Sequence, residues 1–577
     1  MQTIKTIIAQ RLLDAVRSLN ADAALSIDEI KGLLEYPPDP NMGDLAFPCF
    51  RLSKALRRAP AQIAESLVPL LSGGPIGSVE AVSGYLNIKL SNEYLTKEVL
   101  SQILSEREKY GSQTFGKGKK VVLDYSSPNV AKPFHIGHLG TTVIGHSLRK
   151  LHEFAGYDCF GINYLGDWGT QFGKLIVAYR LWGNKEAVEK EGVDALVALY
   201  VKINNEIKGD PEKGIPENKE LADAARAEFH KLETGDEENL ALWKWFVSIS
   251  LAEYEKTYKQ LGITFDSYLG ESFYTDKMPA QVQKLRDMGL LKIDDGASIV
   301  DLSEYNMPPC LILKRDGSTL YPTRDIAAAV YRKENYHFDK AIYVTSAQQC
   351  LHFAQWFKVV ELMGYPWYNE LVHVPYGTVS LNGEKLATRT GNVVLLKDLF
   401  ALAIQKVKGV VAEKNPNLEN RDEIAEKVGV GAVVFYYLTN NRMKDINFVL
   451  DEALNFDGNT GPYVQYTYAR TCSLLGKAGK RTEVCGDITT EEEATLLKTL
   501  CRFGERVVAA IADYEPSYIT RFILDVATAF NRFYHNCPIL SAEDEGTREL
   551  RLRLTEATKI VLGNAFDLIC LAKTEKV

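Results

Sequence analysis

The chain has 577 residues, 46% of them hydrophobic and 25% charged, which excludes a disordered, fibrous or disulfide-stapled protein and leaves room for several domains. Its 67 Lys and Arg against 75 Asp and Glu give a net charge of −8, so no overall basic field advertises a nucleic-acid partner. Nine cysteines stand singly with no C-x-x-C pair, which fits a reducing cytoplasm and gives no reason to expect a protein-held zinc or other metal site.

The opening MQTIKTIIAQRLLDAVRSLN mixes charged and apolar residues at helical spacing, and no run of about 18 apolar residues follows anywhere, so the expectation is a cytoplasmic protein with no membrane span. Residues 1–115 read as an α+β unit: the amphipathic first helix, a Pro- and Gly-broken segment, a helical RLSKALRRAPAQIAESLVPLL, a strand YLNIKL and a closing helix. FGKGKK, residues 115–120, reads as a linker. VVLDYSS at 121–127 begins a strand–loop–helix–strand pattern that predicts a parallel-sheet, Rossmann-like domain over 116–376. A charged helical insertion spans about 183–270, and SIVDLS, CLILKR and KAIYVTS are expected to supply the second half of the sheet. A connecting region covers 377–450, and helix after helix from 451 to 577 predicts an all-α bundle. The fold class is therefore multidomain α/β and α.

The sharpest local feature is SSPNVAKPFHIGHLG, residues 126–140, directly after the first strand. His135 and His138, three apart at the opening of a helix, set two imidazoles beside unpaired backbone N–H groups and the positive end of the helix dipole. That is a place to hold a polyphosphate, and the carboxyl end of a parallel strand is where such sheets bind ligands. The bland alternative is a pair of histidines packed at a helix start.

His-Ile-Gly-His is the ATP signature of class I aminoacyl-tRNA synthetases. The longer SPNVAKPFHIGHL, followed by NYLGDWGTQFG at 163–173, resembles the arginyl-tRNA synthetases in particular. This resemblance implies a ligase that joins L-arginine to tRNA(Arg) through an arginyl-adenylate, with tRNA needed even for the first step. It implies Mg²⁺-bound ATP as substrate, with His135, Gly137 and His138 at its phosphates. The second class I signature is reduced to GEKLATRTGN, residues 383–392: Lys385 matches its first lysine, Arg389 stands nearby, and the second lysine is missing. In the family a lysine just before the histidines stands in for it, and Lys132 occupies that place. The catalytic set that the resemblance implies is thus Lys132, His135, His138, Lys385 and Arg389.

A guanidinium offers five donors in one plane, so its pocket needs a carboxylate able to accept a forked pair of hydrogen bonds. LYPTRDIAAA resembles the family's arginine-binding segment; Thr323 reads as a helix N-cap, with Asp325 in the first turn and Tyr321 just before it. The resemblance adds Asp124 and Asn129 near the α-amino group and Gln349, with Gln348 beside it as an alternative. Asp167, Trp168, Gly169 and Gln171 of GDWGTQ read as structural glue plus a ligand-facing turn, with Trp168 a packed core aromatic.

RNA contacts are least legible. Residues 451–577 carry 15 Lys and Arg against 19 Asp and Glu, so the bundle is not basic. Its helix YVQYTYART, with Tyr463, Tyr466, Tyr468 and Arg470, suits a base-stacking surface or, equally, a bundle core. Arg51, Lys54 and Arg58 fall on one face of an expected helix, with Arg57 adjacent, as a backbone grip or a solvated face. The resemblance assigns the anticodon to the bundle and the outer corner of tRNA to the N-terminal unit; the terminal KTEKV departs from the family's usual ending. A monomer is the default expectation. The competing readings are another class I synthetase or adenylyltransferase, and a non-catalytic RNA-binding relative.

Overall fold

The computed structural model describes residues 1–20, 25–209, 216–381, 383–385, 394–414, 416 and 418–576. Its centre is a four-stranded, wholly parallel sheet in the order Leu371–Tyr376, Lys340–Ser346, Lys120–Asp124, Asp158–Ile162. Asp124 stands level with Ile162 on one side and Tyr343 on the other, so the carboxyl ends of the central strands open on one edge. The period-2 alternation of strand side chains sends Val121 and Leu123 to the face covered by the helix Gly137–Phe154, with Leu139 and Val143. Val122 faces the opposite layer, where Ile326 and Trp356 belong to the helices Tyr321–Tyr336 and Cys350–Leu362.

Only KAIYVTS joins this sheet. SIVDLS and CLILKR fall in a separate antiparallel sheet with Leu291–Asp294. The reason lies in their burial: Leu311 is exposed between buried Cys310 and Ile312, the alternation of a half-solvated strand, whereas Ala341 to Val344 are buried without a break. The helical run expected from about 183 starts at Thr170 and proceeds through Lys185–Glu191, Val193–Lys208 and Lys219–Glu233 to Glu237–Leu261.

In the N-terminal unit a three-stranded antiparallel sheet, Leu45–Pro48, Tyr85–Leu90 and Ile76–Val82, packs on the helix Gln2–Leu19. The single helix expected over RLSKALRRAPAQ is broken. Arg57 takes a left-handed conformation, Ala59 is extended ahead of Pro60, and a new helix runs Pro60–Leu67, because the residue before a proline is pushed out of the helical region. Arg51, Lys54 and Arg58 are all exposed, but the left-handed turn at Arg57 separates Arg58 from the helix that carries Lys54.

The C-terminal region is a bundle of five helices, Gly461–Gly476, Glu491–Cys501, Phe503–Ala512, Ser517–Asn536 and Glu545–Asp567. It holds the N-terminal unit through Lys498–Asp44 at 2.9 Å, Lys5–Glu505 at 3.2 Å and a Tyr36–Glu505 hydrogen bond. No described helix is long and apolar enough to cross a membrane.

Candidate active site

The loop after the strand Lys120–Asp124 is tightly constrained. Ser126, Ser127 and Ala131 all have positive φ (71°, 49° and 58°), a strained conformation that persists only where the surroundings enforce it. The surroundings do so at every step. The Ser126 N–H donates to Thr141 Oγ1 (3.0 Å), that of Ser127 to Asn163 Oδ1 (3.1 Å), and that of Ala131 to Ser250 Oγ (3.0 Å). The Tyr254 hydroxyl bonds the carbonyls of Asn129 (2.8 Å) and Lys132 (2.7 Å). Ser250 and Tyr254 both come from the last insertion helix, Glu237–Leu261, so the insertion props the loop from behind.

His135 and His138 follow, their ring centroids 3.9 Å apart. The Gly137 N–H donates to His135 Nδ1 at 3.1 Å, and the His135 N–H donates to His138 Nδ1 at 3.2 Å. Each Nδ1 is therefore an acceptor, which places the proton of each neutral ring on Nε2. Burial, with repulsion from Lys132, lowers His135 to about 4. Burial, then His135 and Lys132, lowers His138 to about 3. Both are neutral donors at physiological pH, and beside them stands Lys132, whose ammonium burial pulls below the usual lysine value. A Cβ at Gly137 would lie 2.8 Å from the His135 ring, so the glycine is needed to keep that imidazole where it is as well as to open the backbone.

The second signature leads back to the same place. Glu384–Lys385 pairs antiparallel with Val379–Leu381. On the far side the Ile136 N–H donates to Val394 O (3.2 Å) and the Leu396 N–H to Phe134 O (2.9 Å). Arg389 lies outside the described residues.

At the carboxyl edge of the sheet a cavity of about 540 Å³ brings together Asp124, Asn129, His138, Tyr321, Asp325 and Gln349. These are the five residues expected to bind arginine plus one signature histidine. Gln349 lines the cavity and Gln348 does not. Thr323 is not the N-cap: the helix begins at Tyr321 behind Leu320, and the Thr323 hydroxyl donates to Ile312 O at 2.6 Å. Asp325 is thus in the second turn, and Tyr321, 66% exposed, stands at the cavity mouth on the helix itself.

The cavity also holds residues the sequence reading passed over. Arg332, 1% exposed, pairs with Asp124 at 2.7 Å and is ringed by Tyr164, Tyr274 and Tyr343 at 5.1–5.8 Å. Burial pulls its guanidinium downward, but Asp124 more than offsets this and keeps it above its ordinary value. Glu271 is a third acid in the lining, bound to Arg324 at 2.7 Å. Burial pushes it up to about 7, against the pull of Arg324. The Asp167 carboxylate accepts the Ser272 N–H (2.8 Å) and hydroxyl (2.7 Å) and so anchors the chain at Glu271. Trp168 packs on Trp243 and Phe229, structural as expected. His352 bonds Asp325 at 2.6 Å. The periodicity that would have found Arg332 is there: Tyr321, Asp325, Ala328 and Arg332, spaced four, three and four, form one helical stripe lining the cavity.

Residues 99–450 match the family described as tRNA synthetases class I (R), catalytic domain. The chain belongs to the arginyl-tRNA synthetase family. The flanking regions match the arginyl tRNA synthetase N terminal domain over residues 2–90 and the DALR anticodon binding domain over 464–577. The chain is 49% identical over 557 residues to the arginine–tRNA ligase of Alkaliphilus metalliredigens, covering 95% of this chain and 96% of that one. It is 48% identical over 575 residues to that of Clostridium botulinum (strain Okra / Type B1), covering 99% and 100%. Among solved structures it is similar to the arginyl-tRNA synthetase of Thermus thermophilus, with a TM-score of 0.82, 25% identity and 99% of each chain covered.

In the bundle, Tyr468 is buried against Phe566 and the Tyr463 hydroxyl accepts the Asn531 amide (2.9 Å), so these two help to fill and brace the interior. The Arg470 guanidinium lies over Tyr466 (5.0 Å) and Tyr534 (4.7 Å), both exposed, and hydrogen-bonds Asn531. That leaves Tyr466, Arg470 and Tyr534 as the outward-facing cluster.

Proposed function

We propose that this chain attaches L-arginine to tRNA(Arg) in two steps. The arginine carboxylate attacks the α-phosphate of Mg²⁺-bound ATP, releasing pyrophosphate and forming arginyl-adenylate; the tRNA 3′-terminal hydroxyl then attacks the carbonyl and releases AMP. The observation that carries this reading is the single cavity shared by Asp325, Tyr321, Gln349, Asn129 and His138 at the carboxyl edge of the sheet.

Each role follows from chemistry. The Nε2–H groups of His135 and His138 donate to the phosphates, where charge grows in the transition state. Lys132 supplies the cation that the degenerate second signature lacks, with Lys385 and Arg389 closing over the nucleotide. Asp325 accepts the guanidinium, and Tyr321 packs at its entrance. The Asp124–Arg332 pair and Asn129 build the wall beside the α-amino group. A cation too short or too rounded to span the fork leaves buried polar groups unpaired, which gives rejection without an editing site. The tRNA rests on Tyr466, Arg470 and Tyr534 of the bundle, with Tyr463 bracing them, and on Arg51, Lys54 and Arg58 of the N-terminal unit. In an acidic chain such local faces, and not a global field, must carry RNA affinity.

The test is aminoacylation of tRNA with each proteinogenic amino acid in turn. Charging with arginine alone is expected; charging with another amino acid, or none at all, would refute the reading.

A further inference from the structure

The cavity holds three carboxylates, and each already meets a base from this chain: Asp124 with Arg332 at 2.7 Å, Glu271 with Arg324 at 2.7 Å, and Asp325 with His352 at 2.6 Å. The two arginines are permanent cations. The third partner is different in kind, because an imidazole donates a hydrogen bond while staying neutral. His352 lies on the helix Cys350–Leu362, one turn after Gln349, and reaches across to the helix Tyr321–Tyr336. Since a carboxylate only accepts, the imidazole proton sits on Nε2, pointing at Asp325 Oδ2. Its ring meets the edge of Phe353 at 5.5 Å, and Phe353 stacks in turn on His373 at 4.2 Å, whose Nε2 is engaged with Thr345 Oγ1 at 2.8 Å. His352 is thus backed by packed rings, and no step of the reaction uses it.

We propose that His352 is a positioning residue for amino-acid selection. By holding Oδ2 it fixes the plane of the Asp325 carboxylate, so that Oδ1 and the remaining lone pair of Oδ2 face the cavity as a flat, two-point acceptor. A guanidinium needs both oxygens in one plane to make its forked pair; an ammonium is a point charge with rotatable donors and is served equally by a carboxylate that swivels. Removing His352 therefore weakens arginine selectively and narrows the margin over lysine. The inference rests on the assignment of Asp325 to the guanidinium made above.

The test uses the full-length protein with tRNA and compares His352→Gln, His352→Asn, His352→Leu and Asp325→Asn. Gln carries an amide nitrogen near the place of Nε2, whereas Asn is polar but one methylene too short. His352→Leu and His352→Asn are each expected to raise the Michaelis constant for arginine about tenfold, a change of about 1.4 kcal/mol, with that for ATP and the inhibition constant of L-lysine unchanged. His352→Gln is expected to restore most of the loss. Having two disabling variants guards against misfolding of either one. An unchanged arginine constant in both, or equal rises for arginine and ATP, would overturn the role of His352. If Asp325→Asn also leaves arginine unaffected, the assignment of the cavity falls with it; if Asp325→Asn alone weakens arginine, only the role of His352 falls.

Discussion

Two arginine–tyrosine clusters in this molecule use the same side chains to opposite ends. In the catalytic domain Arg332 is sealed among Tyr164, Tyr274 and Tyr343 and neutralised by Asp124. In the bundle Arg470 lies over Tyr466 and Tyr534, with an amide as partner instead of an acid and both rings open to solvent. A buried cation with a carboxylate partner is fixed structure whose charge is spent. A half-buried cation with a neutral partner keeps its charge and its ring faces for a ligand that brings phosphates and bases.

The contrast is broken or sharpened by four substitutions. Arg332→Met leaves Asp124 buried without its partner and is expected to cost about 3–5 kcal/mol of stability in denaturant unfolding; a loss near zero would mean that the pair is not held as described. His138→Ala removes one preorganised donor and should lower the aminoacylation rate about 10²–10³-fold while leaving the arginine constant in place. Glu271 gives the pH dependence. Its folded value of about 7 lies above the ordinary 4.5, so between these pH values the folded chain holds a proton that the unfolded chain has lost, and stability falls as pH rises through that window. For a cationic substrate the sign is reversed: the cavity gains its negative charge above about 7, so the Michaelis constant for arginine should rise on acidification below that pH. Glu271→Gln should flatten the profile, and His135 and His138 add no limb of their own, since both are already neutral above about 4. Arg470→Ala has the smallest effect: stability within about 0.5 kcal/mol and a salt dependence of tRNA binding shallower by about one unit of slope.

The strand at 121–124, the histidine loop and the Tyr321–Asp325 stretch were legible because their chemistry is local, a strand end followed by glycine, histidines and a carboxylate at short spacing. What escaped the reading depends on partners far apart in sequence. Glu271 acquires its role from Arg324 and from Asp167, which pins the chain beside it. His352 is defined by Asp325 across two helices. The insertion read only as a charged helical block between the two halves of the sheet, yet Ser250 and Tyr254 hold the strained loop that carries Asn129 and Lys132. SIVDLS and CLILKR carried a strand signal, but the sheet they join is set by a half-solvated face, with Leu311 exposed between buried neighbours, that only the folded chain displays. The break at Arg57 was written in Pro60 and was overridden by the apolar spacing on either side.

In the function proposed, arginine is read in the sheet-edge cavity and tRNA on the bundle, two separable recognitions. The most direct measurement is the pair of Michaelis constants, for arginine and for tRNA, in Asp325→Asn and Arg470→Ala side by side. Asp325→Asn should raise the constant for arginine at least about tenfold and leave that for tRNA unchanged, and Arg470→Ala should do the reverse. An Asp325→Asn enzyme with normal arginine affinity and altered use of ATP would contradict the account.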